Sequence, residues 1–147
     1  MDFEQLAFIE KWRQRASRGV VVALDGRRGD LLVTMRVGEL GARLDLRGRD
    51  ATGAARKARL AIGDRITMAI EYRAKDVSAG TGQQVSGGLV APGATVEGVV
   101  ATAGDVVEVD CGSPVLVEGS TLPGTKEGDA VRFVVADEGT AYLIPTR

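Results

Sequence analysis

Nine basic side chains between residues 27 and 59 are of a type that binds anions. An arginine guanidinium donates two parallel hydrogen bonds to a phosphate or a carboxylate. Several such groups along one groove neutralise the phosphates of a nucleic acid, and this binding weakens steeply with added salt. The candidate residues for such a groove are Arg27, Arg28, Arg36, Arg43, Arg47, Arg49, Arg56, Lys57 and Arg59. The competing interpretation is a solvated strand face, where neighbours such as Arg43, Asp45 and Arg47 pair at little energetic gain.

The charges are distributed unevenly along the chain. The net charge is −1, but residues 1–90 carry +5 and residues 91–147 carry −6. A basic half can attract an anionic partner. It can equally dock on the acidic half, within one molecule or between copies, and both interpretations stay open here.

Residue types that often carry catalysis are scarce in this chain of 147 residues. It has no histidine, which removes the commonest general base and zinc ligand, and its one cysteine is Cys111. Glu108 and Asp110 share a strand face, where a metal or paired-carboxylate role competes with that of an ordinary solvated face. Cys111 falls on the inward side and is expected to pack in the core. We therefore predict a protein that is not an enzyme and uses no cofactor and no metal.

The composition predicts a globular protein. Hydrophobic residues make up 44% and charged residues 27%, enough apolar material for a core. No apolar run approaches the roughly 20 residues that span a bilayer, and the N-terminus is charged where a secretion signal is apolar. A cytoplasmic protein without a membrane partner is expected.

Residues 1–18 have the pattern of an amphipathic helix. Asp2 can cap it, with Gln5 in capping-box position, and apolar residues recur at helical spacing. Its aromatic stripe includes Phe8 and Trp12. Such a stripe packs on the neighbouring domain or forms a contact with a protein partner or a second copy.

From Gly19 onward the apolar period changes to two, which is typical of strands with one buried face. Strands are predicted at 31–37, 43–47 and 65–73 after an opening Gly-Val-Val strand, with a short helix at 54–60 and a weak strand at 83–86. In the second half they are predicted at 95–101, 105–111, 114–118, 129–136 and 140–145. The corresponding domains are an N-terminal helix (1–18), a basic barrel (19–86), a Gly-rich linker (87–94) and a smaller acidic barrel (95–147).

The two halves also repeat landmarks in the same order. Gly19-Val20-Val21 matches Gly98-Val99-Val100, and Gly63-Asp64 before one long strand matches Gly128-Asp129 before another. Ordered matches of this kind favour a duplication, although Gly-Asp is a common turn pair.

These residues resemble the OB-fold, a small five-stranded barrel with a helix between its third and fourth strands. The first half is similar to the RNA-binding version of that fold, which is repeated in tandem in the largest small-subunit ribosomal protein of bacteria. The similarity rests on the Gly-Val-Val strand and on Leu60, Gly63, Asp64 and Ile66 at the entry to the fourth strand. It implies two OB-like barrels in tandem, the alternative being one pseudo-symmetric six-stranded barrel.

The resemblance implies binding on the outer face of the second and third strands. Single-strand binders of this kind stack bases on aromatic rings, but the first half offers only Tyr72, which alternation places inside. A non-enzymatic protein that binds RNA or another single strand through its backbone is therefore predicted. The alternative is an interaction module that self-associates or docks a protein partner through Phe8, Trp12 and its charge-polarised halves.

Overall fold

The structure, a computed structural model, describes residues 3–27, 29–38, 43–81 and 88–145, without the side chains of Gln5 and Arg27. Helix α1 spans Phe3–Arg13, helix α2 spans Ala54–Lys57, and one turn of 3-10 helix spans Gly119–Thr121. The strands are β1 Ser17–Arg27, β2 Asp30–Val37, β3 Leu44–Asp50, β4 Arg65–Tyr72, β5 Ala74–Ala79, β6 Leu89–Val90, β7 Thr95–Thr102, β8 Val106–Asp110, β9 Pro114–Glu118, β10 Ala130–Val135 and β11 Gly139–Ile144.

The predicted strand positions are largely confirmed, and the main differences lie at the ends of elements. Helix α1 ends at Arg13, because Ser17 and Arg18 already pair with β4. Helix α2 is shorter than predicted and is followed by Arg59 in the left-handed region (φ 54°). Strands β5 and β6 were not predicted, and β6 lies inside the predicted linker. Asp2 and the predicted strand at 83–86 lie outside the described residues.

The first five-stranded ring has the strand order of an OB-fold. β1 pairs β2, β2 pairs β3, β3 pairs β11, β11 pairs β4, and β4 returns to β1. The contact between β3 and β11 is parallel and the others are antiparallel, while α2 connects β3 to β4. The fifth strand of this ring therefore comes from the far end of the described chain.

The second ring is completed in the reciprocal way. β9, β8, β7 and β10 are antiparallel neighbours in that order. The ring closes through β4 and β5, which are separated by Arg73: the end of β4 pairs β9 in parallel, and β5 pairs β10. The chain thus forms two OB-like barrels in tandem behind an N-terminal helix, and each half supplies a strand to the other. The predicted domain boundaries, 19–86 and 95–147, stay a prediction.

The repeated landmarks form the same hydrogen bonds in both halves. Gly63 N–H donates to Val21 O at 2.8 Å, and Val21 N–H donates to Asp64 O at 2.9 Å. In the second half Gly128 N–H donates to Val100 O, and Val100 N–H donates to Asp129 O, both at 2.8 Å. The glycine that opens each Gly-Val-Val segment is also packed in the same way. A Cβ on Gly19 would collide with Arg36 O, and a Cβ on Gly98 would collide with Asp110 O.

Buried side chains of both rings form one continuous core. Tyr72 is buried, as alternation predicts, and its hydroxyl lies 2.8 Å from Arg47 O and 3.2 Å from Val90 O. Burial raises the pKa of this phenol. Phe133 occupies an equally enclosed position on β10.

Helix α1 packs across the two rings. Trp12 is 3% exposed and stacks on Tyr142 of β11 at 4.5 Å between ring centroids. Its other neighbours in this second cluster come from both rings: Ala69 and Ile144 from the first, Val106 and Leu116 from the second. The predicted partner contact through Phe8 and Trp12 is therefore corrected at Trp12, which is used within the chain, whereas Phe8 keeps 39% of its surface exposed.

The helices described by the structure are all too short to cross a membrane.

The strand exchange predicts that neither half folds alone. A fragment of residues 1–81 lacks β11, so β3 and β4 keep unpaired backbone groups at a buried edge. We expect it to show no cooperative thermal unfolding by circular dichroism, and an equimolar mixture with residues 88–147 to recover a single transition. Cooperative unfolding of either fragment by itself would contradict the exchange.

Candidate anion-binding site

The face of β2 and β3 predicted to bind nucleic acid has two of its arginines paired with acids. Arg36 lies opposite Asp45 and forms a two-point contact with it, Nε to Oδ1 at 2.8 Å and Nη2 to Oδ2 at 3.1 Å. Arg47 forms the same kind of contact with Glu138, at 3.2 and 2.5 Å. These forks already hold carboxylates, so they are not free to bind phosphate.

The other predicted residues are spread over several elements. Arg49 shares the outward face of β3 with Arg47, whereas Arg43 is exposed just before that strand. Arg56 Nη2 donates to Gly29 O at 2.7 Å, and Lys57 and Arg59 are exposed at the end of α2. Arg28 and the side chain of Arg27 lie outside the described residues.

Two side chains that precede helix α2 accept hydrogen bonds from its first N–H groups. Asp50 accepts hydrogen bonds from the N–H groups of Ala55 and Arg56 at 3.2 and 3.1 Å. Thr52 Oγ1 accepts from Ala54 N–H at 3.4 Å. The start of this short helix therefore already holds a carboxylate of its own chain.

An open cleft with a volume of about 440 Å³ lies over β1 and β4. It is lined by Arg18, Gly19, Val20, Arg65, Ile66 and Thr67. Gly19 and Ile66 face the core, so their neighbours along each strand, Arg18 and Val20 on β1 and Arg65 and Thr67 on β4, share the outer face. We name this site the β1–β4 cleft.

The strand register brings the two arginines of the cleft close together. Arg18 lies opposite Thr67, and Arg65 lies opposite Val20. Arg18 and Arg65 are thus diagonal neighbours, about 7–8 Å apart at their backbones, and their long side chains can meet over the hydroxyl of Thr67. An adjoining cleft of about 290 Å³ shares Arg65, Ile66 and Thr67.

Neither arginine of the cleft forms an ion pair with any residue that the structure describes. Asp64 precedes Arg65, but its carboxylate accepts the N–H of Ala61 at 2.9 Å. Two arginines without an acidic partner in the described chain and one threonine thus line the same cleft. This arrangement can bind an oxyanion, because each fork offers paired N–H donors.

Sequence reasoning missed this cleft because it assigned Arg18 to the first helix and Arg65 to a solvated strand side. The signal that could have found it was present. In an OB-fold the first strand pairs with the fourth, as observed here, so the Gly-Val-Val strand and the strand after Gly63-Asp64 are neighbours. That pairing alone places Arg18 and Arg65 on one face.

A second charged cluster lies under α1. Lys11 Nζ and Arg15 Nη2 lie 3.4 and 3.8 Å from the Asp105 carboxylate, and hydrogen bonding to Lys11 lowers the pKa of Asp105. The half-buried carboxyl of Glu71 instead has a raised pKa. Burial is the largest cause, and the negative charge of Glu118 is the second. The two pairs with Asp105 link the end of α1 to the turn before β8.

The remaining candidate residues occupy structural positions. Cys111 is buried as predicted, and burial raises its pKa to about 11. Asp110 accepts the N–H of Gly112 at 3.0 Å, and Glu108 is half-buried on β8. Within the described ranges, no three acidic or cysteine side chains lie together as metal ligands.

The fold belongs to the class of OB-like barrels arranged in tandem. It is similar to that of ModG, a cytoplasmic molybdate-binding protein whose crystal structure contains molybdate, with a TM-score of 0.51 over 88% of this chain and 95% of that one. No family model and no curated protein matches the sequence. Because the two chains are 18% identical, the likeness establishes the fold, and the ligand must be argued from the residues of this chain.

The raised pKa of Glu71 predicts a pH-dependent stability. The folded state holds the Glu71 proton more tightly than the unfolded state does. Protonated Glu71 therefore stabilises the fold below about pH 4.5, and this contribution is lost as the pH rises through the folded pKa. We expect Glu71→Gln to raise the free energy of unfolding at pH 7 relative to wild type, with the difference shrinking toward pH 4. Urea unfolding at both pH values measures this.

Asp105→Asn is the matched variant of opposite sign. Because the pKa of Asp105 is lowered, its carboxylate stabilises the fold above about pH 3.8. Asp105→Asn should therefore be less stable than wild type at pH 7 and approach wild type in acid. Equal pH profiles for the two variants would contradict both assignments.

Proposed function

We propose that this protein binds a small tetrahedral oxyanion in the β1–β4 cleft, without catalysing a reaction. The observation that carries the proposal is that Arg18 and Arg65 line one cleft as diagonal neighbours beside Thr67, neither with an acidic partner in the described chain. The fold adds support, because the similar protein ModG is described as binding molybdate. That protein is also described as cytoplasmic, and we propose the same compartment for this chain.

The spacing of the two arginines favours a compact ligand over an extended one. Diagonal neighbours about 7–8 Å apart at the backbone can hold one ion between two forks. Each charge-assisted hydrogen bond contributes about 1.5–3 kcal/mol. A five-atom ion gains at most about 1.5 kcal/mol per atom, so we expect a dissociation constant between about 1 mM and a few micromolar.

Titration calorimetry with sodium molybdate, and with sulfate in parallel, tests the proposal. We expect saturable binding that weakens with added sodium chloride. Arg18→Gln and Arg65→Gln should each weaken it about 10- to 100-fold, because each removes one charged fork. Arg43→Gln is the matched control: it removes an exposed arginine outside the cleft and should leave the affinity unchanged. Equal losses in all three variants would contradict a defined site.

Nucleic-acid binding is a second candidate function. It is favoured by exposed cations between residues 43 and 59, Arg43, Arg49, Lys57 and Arg59, which form no ion pair within the described residues. The resemblance to RNA-binding OB-folds supports the same surface. Against it, Arg36 and Arg47 hold carboxylates, and Tyr72 is buried and unavailable for base stacking.

Fluorescence polarisation with a labelled single-stranded RNA tests this candidate. RNA bound through this surface would contact several phosphates. The affinity should therefore fall steeply as the salt concentration rises from about 50 to about 200 mM. Combined Arg43→Gln and Arg49→Gln substitutions should weaken it, whereas Arg65→Gln should not. The reverse pattern, with competition by molybdate, would assign any RNA binding to the oxyanion site.

Self-association also stays a proposal. The apolar residues available for it on α1 are Phe3, Leu6 and Phe8, of which Phe3 is 90% exposed.

A further inference from the structure

The second ring contains a structural counterpart of the β1–β4 cleft. Gly98 of β7 matches Gly19, because each lies against a carbonyl of the next strand, and both glycines pair with the second residue of a long strand. The register then gives the counterpart of each cleft residue: Glu97 for Arg18, Val99 for Val20, Ala130 for Arg65 and Arg132 for Thr67.

These differences remove the chemistry of an anion site from the second copy. One arginine is replaced by a carboxylate and the other by a methyl group. The remaining cation, Arg132, lies directly opposite Glu97 and its charge helps to lower the pKa of Glu97, after the hydrogen bonds from Thr81. An oxyanion at this position would meet a negative charge and find one fork at most.

In the second copy, the Glu97 carboxylate binds a residue of the same chain. Glu97 Oε1 accepts the N–H and the hydroxyl of Thr81, both at 2.6 Å. Thr81 follows β5, the strand that the first half supplies to the second ring. Gly80 between them lies against β10, donating its N–H to Ala130 O at 3.0 Å, and a Cβ there would meet the Val131 backbone.

Strand β5 depends on hydrogen bonds because few of its side chains are buried, and at its start Ala74 N–H donates to Thr121 Oγ1 at 3.0 Å. Five of its six residues are exposed, and in the described chain it pairs with β10 alone. A hydrogen-bonded clamp at its end therefore replaces the apolar packing that secures the other strands.

We infer that the duplicated cleft has diverged: the first copy binds the oxyanion, and the second copy clamps the exchanged strand, so that the chain binds one oxyanion. Arg18 makes the first copy an oxyanion site, and its counterpart Glu97 makes the second copy a clamp. The binding half of this inference rests on the proposed function, whereas the clamp stands independently of it.

Equilibrium dialysis with molybdate measures the number of ions bound. We expect one ion per chain for wild type and none for the Arg18→Gln/Arg65→Gln double variant. The Glu97→Arg/Ala130→Arg/Arg132→Thr triple variant rebuilds the second copy and should bind two. A residual ion in the first variant overturns the assignment to one copy, as does a folded second variant that binds only one.

These outcomes separate the inference from the proposed function. If wild type binds no molybdate or sulfate, the proposed function fails. If wild type binds one ion through Arg18 and Arg65 and the rebuilt copy gains none, only the inference about divergence fails. Should the rebuilt variant not fold, the residual count in the Arg18→Gln/Arg65→Gln variant decides.

Amide hydrogen exchange tests the clamp without any ligand. Thr81→Val removes the hydroxyl donor and should speed exchange at the amides of β5 about tenfold. Thr95→Val, an exposed threonine on β7, is the matched control and should leave β5 unchanged. Equal exchange at β5 in wild type and Thr81→Val would overturn the clamp.

Discussion

The closure of each barrel by a strand from the other half is the constraint on which the rest of the structure depends. β11 lies between β3 and β4, and the continuous β4–β5 segment lies between β9 and β10. With one core shared by both rings, opening either ring exposes buried side chains and leaves backbone groups unpaired. The two halves therefore behave as one folding unit, and α1 adds an apolar contact across them.

The same interlocking explains the polarity of charge along the chain. Basic residues of the first half pair with acids of the second: Lys11 and Arg15 with Asp105, Arg47 with Glu138, and Arg73 with Glu118 and Asp137. The exposed pairs among them contribute little to stability. Their larger effect is to decide which arginines stay available, and in the β1–β4 cleft two of them do. The docking of a basic half on an acidic half within one molecule, left open by the sequence, is what the structure shows.

Alternation predicted much of the fold because buried faces impose it. Tyr72 at the end of β4 and Cys111 just after β8 were predicted to face inward, and both are buried. β5 could not be predicted, since a nearly fully exposed strand has no apolar period, and its existence depends on β10. The exchange of β11 was equally hidden, because periodicity encodes which face is buried but not which strand is the neighbour. The cleft was missed for that reason: Arg18 and Arg65 are 47 residues apart in sequence and meet through pairing alone.

The position of β11 has a consequence for biosynthesis. A ribosome must produce residues 139–144 before the first ring can close, although its other four strands are complete by Tyr72. During that interval the nascent chain displays apolar strand edges, and contacts of such long sequence separation form slowly. The early half can therefore bury these edges only once the last strand of the later half has been made.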